Sequence, residues 1–429
     1  MQDYLLLTKK LWPLNRAHLT DDTQDAFKQL QSFYTGSQII KHKSGFKCGA
    51  QNTWTVPEKW VVHHATLKDS KGTLIADFKE SPLRLYSYSP SFSGTIDKKT
   101  LINDHVFSQP DQPDAIPFHF RNQYRPWDRQ WGFCLKDNEV KKLNDINYQV
   151  DIKTEFIADE MFQLEYEKPG KSKKRILLLG HFDHPDMGND GLLGCMVANE
   201  VIKRLKNKET YYSYAALSTV EIIGSVAYCQ TETENTKNTV AGLFITLPST
   251  PNHPISYQNS SSPQNFIIDR AFNNLLRCRY PQTKFFDFRS LIGNDEIAFE
   301  SPGISINMGL IGRLDPDLPF PHYHNNSDDI NKINETDIEN MINLVIDLIT
   351  IIENNYKVST NFTGLPCLSH PKFNLFLHPI DQYFDKTKND LCTNLISKLH
   401  PLEIKQLTQT DKNKLYFFSN QIIPYLGQN

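Results

Sequence analysis

A chain of 429 residues exceeds what one ordinary hydrophobic core organises, so two or three domains are expected. Apolar residues make up 39% and aromatics 11%, enough for packed interiors and too much for wholesale disorder. A formal net charge of −3, with acids and bases nearly matched, gives no electrostatic reason to expect a nucleic-acid partner.

The N-terminal Met1-Gln-Asp-Tyr-Leu-Leu-Leu carries an acid early and only a short apolar run, unlike a secretory signal. No stretch approaches the roughly 18 apolar residues of a membrane span. The seven cysteines are scattered and lack a Cys-x-x-Cys pair, as expected of reduced thiols in a cytoplasmic protein. Helical patterns cover 1–12 and 20–34, the second opened by Thr20-Asp21-Asp22 as cap and acidic first turn. From Thr53 to about Phe156, short runs such as Trp60–Leu67, Leu83–Tyr88 and Tyr148–Ile152 alternate with turn residues, which predicts a small β-rich domain. Strand and helix patterns then alternate to about Asn354. The predicted strands are 176–179, 214–217, 241–247 and 304–308; the predicted helices are 192–205, 222–229, 265–277 and 335–353. That order predicts an α/β fold with a mostly parallel sheet flanked by helices. A compact tail from about Lys372, with patterns at 391–399, 402–407 and from Lys414, reads as a small C-terminal α or α+β domain.

Open α/β sheets place their chemistry at the carboxyl ends of strands, and four polar clusters fall in loops bordering the predicted strands. His181 and Asp190 follow the apolar strand 176–179, with Asp183 placed to accept the second ring N–H of a ligating histidine and fix its tautomer. Glu221 follows the strand 214–217, as ligand or general base. Gly293-Asn-Asp295-Glu296 precedes the strand 304–308, and His324 precedes the long helix, with Asp328-Asp329 reading as caps for that helix. Imidazole and carboxylate together suit zinc or a similar divalent ion.

The order His181-Phe-Asp183-His184-Pro185, Asn189-Asp190, Glu221-Ile-Ile-Gly-Ser225, Gly293-Asn-Asp295-Glu296 and Tyr323-His324 resembles the zinc aminopeptidases of the M28 class. More closely, it is similar to a bacterial aminopeptidase-like family named for polysaccharide biosynthesis, with its inserted β-rich, lid-like domain. Trp54–Trp60, Tyr86–Pro90, Asp114–Pro117 and Trp131–Cys134 carry that part of the likeness. The resemblance implies an N-terminal helical part at 1–50, the insert at 51–157, an aminopeptidase-like α/β core at 158–358 and a winged-helix-like domain at 370–429. It implies metal ligands His181, Asp190, Glu221 and His324, with Asp190 placed to bridge two ions. Where those enzymes have two adjacent glutamates, Val220 and Ile222 flank a single acid, and Thr246 stands where a further aspartate is expected. These departures favour one zinc ion over two, with Glu221, Glu296 or Asp295 as the proton-transfer group.

The function implied is hydrolysis of an amide bond by metal-activated water, on a peptide or an N-acylated sugar. The alternative is a non-catalytic binding or assembly protein of the same fold, linked to polysaccharide biosynthesis. Trp54, Trp127 and Trp131 of the insert would wall a substrate cleft, and the clefts between domains leave room for a homodimer. No membrane partner is expected. The tail's lysines are offset by acids, which favours interdomain packing over DNA binding there.

Overall fold

A computed structural model describes residues 2–250, 252–262, 267–314 and 323–355. The chain divides into two compact units, Met1–Thr350 and Ile351–Asn429; the sheets belong to the first. The expected winged-helix-like domain at 370–429 lies outside the described residues. Among those residues no helix is long and apolar enough to cross a membrane. The five described cysteines are free thiols, four of them buried.

The central sheet has eight strands, in the order Gln38–Lys43, Glu160–Lys168, Ser213–Thr219, Arg175–His181, Thr239–Ile245, Met308–Gly312, Ser256–Gln258 and Lys284–Phe286. The sheet is mostly parallel, as expected: Ser213–Thr219, Arg175–His181, Thr239–Ile245 and Met308–Gly312 run parallel at the centre and Lys284–Phe286 runs parallel to Ser256–Gln258, with antiparallel pairings on either side of the centre. Every residue of Arg175–His181 and of Ser213–Thr219 is buried, as befits strands covered on both faces. On one face Leu177, Leu179, Ala215 and Leu217 pack with Tyr228 and Phe299, from the helices Ile223–Thr231 and Glu296–Phe299. On the other, Gly180 lies so close to the helix Leu192–Leu205 that a Cβ would meet the Cys195 backbone. The register pairs His181 with Thr219 and Leu179 with Phe244, so the loops after three parallel strands leave the sheet at one edge.

The strand expected at 304–308 begins four residues later. Ser301 closes a turn with Ile304 and Ser305, and regular pairing starts only where Met308 meets Gly242. The strand Glu160–Lys168 was not foreseen, because its alternating acids hide its apolar residues.

Residues between the two halves of the core form a second, antiparallel sheet in the order Leu74–Asp77, Lys59–Lys68, Asn147–Ile157 and Phe92–Asp97. Asn147–Ile157 shows why: Tyr148, Val150, Ile152 and Thr154 point inward at period two while their neighbours face solvent. The inward residues join Trp60, Leu67, Tyr88, Trp131 and Phe133 in a core of their own.

Candidate metal centre

The loop from Phe182 to Gly191 carries most of the site. The buried Arg16 guanidinium donates to Phe182 O at 2.5 Å and to Met187 O at 2.6 Å, and so holds the segment between them. Asp328 accepts from the backbone N–H of Asn189 at 2.9 Å and of Asp190 at 2.7 Å. It is therefore a brace for the ligand loop and not the cap its position suggested; Asp329 caps the short turn Ile330–Lys332. Gly191 has φ +97°, and a Cβ there would run into the His181 ring.

These supports bring three imidazoles and two carboxylates together. Asp190 Oδ1 lies 3.2 Å from His181 Nε2 and 3.4 Å from His184 Nδ1, and its Oδ2 lies 3.1 Å from His324 Nε2. Glu221 Oε2 lies 3.5 Å from His184 Nε2. Two overlapping triads, His181–His184–Glu221 and His184–Asp190–His324, each place their ligand atoms within 4.8 Å of one another. Ile222 and His324 both have positive φ, 56° and 52°, which is costly for a β-branched residue and for a ring alike. The strain sits beside one ligand and at another.

Each sequence-derived candidate has a definite place. His181, Asp190, Glu221 and His324 converge. Asp183 does not serve His181: its Oδ1 accepts from Glu221 N at 2.6 Å and its Oδ2 lies 3.1 Å from His18 Nε2. The carboxylate behind His181 is Asp295, with Oδ2 3.1 Å from Nδ1, while its Oδ1 accepts from Ile222 N and Ser225 Oγ. Both oxygens of Asp295 are thus engaged, one by His181 and one by Ile222 and Ser225, and neither is free for proton transfer. Glu296 faces away from the cluster, accepting from Gln258 Nε2 and from Asn294 N. Burial pushes its carboxyl up to about 7. Thr246 is buried and takes no part in either triad. His184 went unassigned; the signal was there in His-x-x-His spacing right after a buried strand.

The donor set fits a zinc-type ion. Both ring nitrogens of His184 are buried and, among the described residues, meet only the carboxylates of Asp190 and Glu221 at 3.4 and 3.5 Å, too long or poorly aligned for a regular hydrogen bond. Burial alone would keep His184 neutral, but the facing carboxylates of Asp190 and Glu221 raise its pKa to about 10. Burial likewise resists ionisation of Asp190, yet the surrounding imidazoles hold its pKa well below the usual carboxylate range. A cation at the centre would take the place of those ring protons and release them on binding.

A family model described as a domain of unknown function, DUF4910, matches residues 5–355. The chain belongs to this family. A Clostridium acetobutylicum relative, named for polysaccharide biosynthesis and an aminopeptidase-like domain, is 30% identical over 321 residues, 74% of this chain and 70% of its own length. A solved structure from the same organism, described as a peptidase, has a TM-score of 0.75 at 28% identity, covering 85% of this chain and 84% of that one. BSAP, a zinc aminopeptidase from Bacillus subtilis, superposes at a TM-score of 0.60 and 13% identity, over 81% of this chain and 93% of its own. A peptidase M28 precursor from Shewanella amazonensis gives 0.57 at 11% identity, over 85% and 95%. At those two identities the likeness is one of fold: this DUF4910 member has the α/β aminopeptidase architecture, with a large central sheet flanked by helices.

The insert reaches into the centre of this DUF4910 chain. Phe118 N donates to His324 O at 2.8 Å, Pro117 bridges Asn325, and Ile116 exchanges hydrogen bonds with Asn326. Phe118 sets its edge against both His184 and His324, and Tyr124 donates to Glu221 Oε2. Of the three tryptophans expected to wall a cleft, Trp131 lies in the insert's core stacked on Phe92, Trp127 is 74% exposed, and only Trp54 touches Tyr124.

Proposed function

We propose that the chain is a metal-dependent hydrolase of an amide bond, with zinc, as one ion or two, held by His181, His184, Asp190, Glu221 and His324. The observation that carries this reading is the convergence of five ligand-type side chains, with both buried nitrogens of His184 facing carboxylate oxygens at 3.4 and 3.5 Å. A bound divalent ion supplies Lewis acidity towards a carbonyl oxygen and a water nucleophile at neutral pH. Around it, Asp295 orients His181 through Nδ1, and Asp328 fixes the backbone of Asp190. Glu221 is the acid placed both to ligate and to take a proton at Oε2, where Tyr124 and His184 meet it. Phe118 and Phe120 cover the histidines with aromatic rings and exclude bulk water from them.

The substrate classes that this reading admits are a peptide with a free amino terminus and an N-acylated sugar; the name of the Clostridium relative supports the second. A cytoplasmic setting belongs to the same proposal. The test is metal analysis of protein purified without chelator, followed by hydrolysis assays on aminoacyl anilides and N-acetylated sugars. Stoichiometric zinc with turnover of either class is expected. No binding of added zinc would sink the reading.

One observation favours the second reading, a non-catalytic binding or assembly role. Glu221 Oε1 accepts from Asn294 Nδ2 at 2.7 Å and Oε2 from Tyr124, so both oxygens of the central acid are engaged. Zinc without turnover of any amide would select that reading.

A further inference from the structure

Tyr124 lies in the insert, 97 residues before Glu221 in the chain, yet its hydroxyl donates to Glu221 Oε2. Its placement is not incidental to packing. Asn122, two residues earlier, is buried and donates to Ser87 O at 3.0 Å and to Gln130 O at 2.7 Å. Gln123 Oε1 accepts from His18 N at 3.2 Å. The Tyr124 ring stands edge-on to His18 at 4.9 Å, to Phe120 at 6.1 Å and to Trp54 at 6.4 Å. The short helix Arg121–Tyr124 is therefore pinned at each of its last three residues, and the hydroxyl has little freedom to point elsewhere.

Glu221 is gripped at three points. Asp183 takes its backbone N–H, Asn294 donates to Oε1, and Tyr124 donates to Oε2. Without the hydroxyl, the polar partner left to Oε2 among the described residues is His184 Nε2, at 3.5 Å. A carboxylate tethered at one oxygen turns about its last bond; one tethered at both presents its free lone pairs in a fixed direction. We propose that Tyr124 is a positioning residue that the insert supplies to aim Glu221 at the metal, which makes the insert a structural part of the metal site. This inference rests on the metal-site reading proposed for the chain's function.

The experiment is a double-mutant cycle on zinc affinity, read by competition with a chromophoric chelator on the full chain. Tyr124→Phe removes the hydroxyl and keeps the ring, and loss of such a supporting partner weakens metal binding by about 10–100-fold. In a Glu221→Ala background the same substitution should change zinc affinity by less than about twofold, because a positioning residue has nothing left to position. Should Glu221→Ala bind zinc too weakly to measure, the cycle is run with copper(II), which such sites hold more tightly. Equal weakening in both backgrounds means that Tyr124 acts through general packing, and overturns the proposal. Wild-type affinity in Tyr124→Phe overturns it as well. Zinc binding by the wild type with no coupling removes this inference alone; no zinc binding by the wild type removes both it and the metal site.

Discussion

At the residue scale the proposed metal site separates would-be ligands from the groups that hold them, and the two should respond differently to substitution. Among the described residues, Asp190 lies within 3.5 Å of His181, His184 and His324 alike. Supporting partners alone are worth about 10–100-fold in metal affinity. Asp190→Ala should therefore exceed that loss, and zinc content after gel filtration checks it. Asp295→Asn should fall within that range. If His181 ligates through Nε2, its Nδ1–H donates to Asp295 Oδ2. An amide has one oxygen for that ring and for the Ile222 and Ser225 donors on the other side, so one contact must fail. Chelator competition measures the outcome, and an unchanged affinity would detach Asp295 from the site. Glu296 makes a prediction about stability. Its pKa is raised by burial from 4.5 to about 7 in the folded chain. The folded state then holds a proton that the unfolded state has released, so this group's contribution is fully present below about pH 4.5 and is lost as pH rises through about 7. Glu296→Gln cannot ionise and should flatten that decline, a difference on the order of 3 kcal/mol above neutrality. Urea midpoints at about pH 5 and about pH 8 test it; equal slopes in the two proteins would refute the assignment. The sequence made His181, Asp190, Glu221 and His324 visible because each follows an apolar strand or precedes a helix. It hid the role of Asp183 and Asp295, since which carboxylate stands behind a given imidazole depends on contacts across 114 residues of chain.

Among the elements, the parallel centre was the most legible part, because strands buried on both faces leave continuous apolar runs such as Ile176–Leu179. The long helix Glu335–Glu353 matched its pattern residue for residue. Edge strands such as Gln38–Lys43 and Lys284–Phe286, half-polar or only three residues long, left no such trace. Nor did the sequence show that Arg16, far upstream, clamps the loop carrying Asp183 and His184. That clamp is the element-scale determinant of the site, since the loop has no regular structure of its own between His181 and Leu192. Arg16 donates to carbonyls only; burial lowers its pKa to about 10. Arg16→Met keeps the volume and removes the donors, leaving buried carbonyls unsatisfied at about 1–3 kcal/mol each. With Leu11 O still accepting from Leu14 N, Phe182 O and Met187 O are left, and a fall in stability of roughly 2–6 kcal/mol is expected, together with weaker zinc binding. Urea unfolding and chelator competition read the two effects. Lost stability with zinc affinity unchanged would mean that the loop keeps its shape without the clamp.

For the unit Met1–Thr350 as a whole, the proposed function implies that the insert and the α/β core share one metal site. Its two ligand segments furthest from the strand Arg175–His181 are each tied to the insert: His324 by backbone pairing with Pro117 and Phe118, Glu221 by Tyr124. The insert's core of Trp60, Trp131 and Phe133 is a separate hydrophobic cluster that would suit independent melting. The two possibilities give different unfolding behaviour. Four of the five tryptophans, Trp54, Trp60, Trp127 and Trp131, lie in the insert, so indole fluorescence reports on it, while helical circular dichroism reports mainly on the core. A ligand that binds only the folded state stabilises it by about 2.7 kcal/mol at a hundred times its Kd. With a shared site, both signals should move by the same increment when zinc is added, and both should lose that increment in Asp190→Ala. An insert that unfolds first, at a midpoint unmoved by zinc while the helical signal shifts, would mean that the core alone holds the ligands. The pairing at His324 would then be a contact that forms after the metal site and contributes nothing to it.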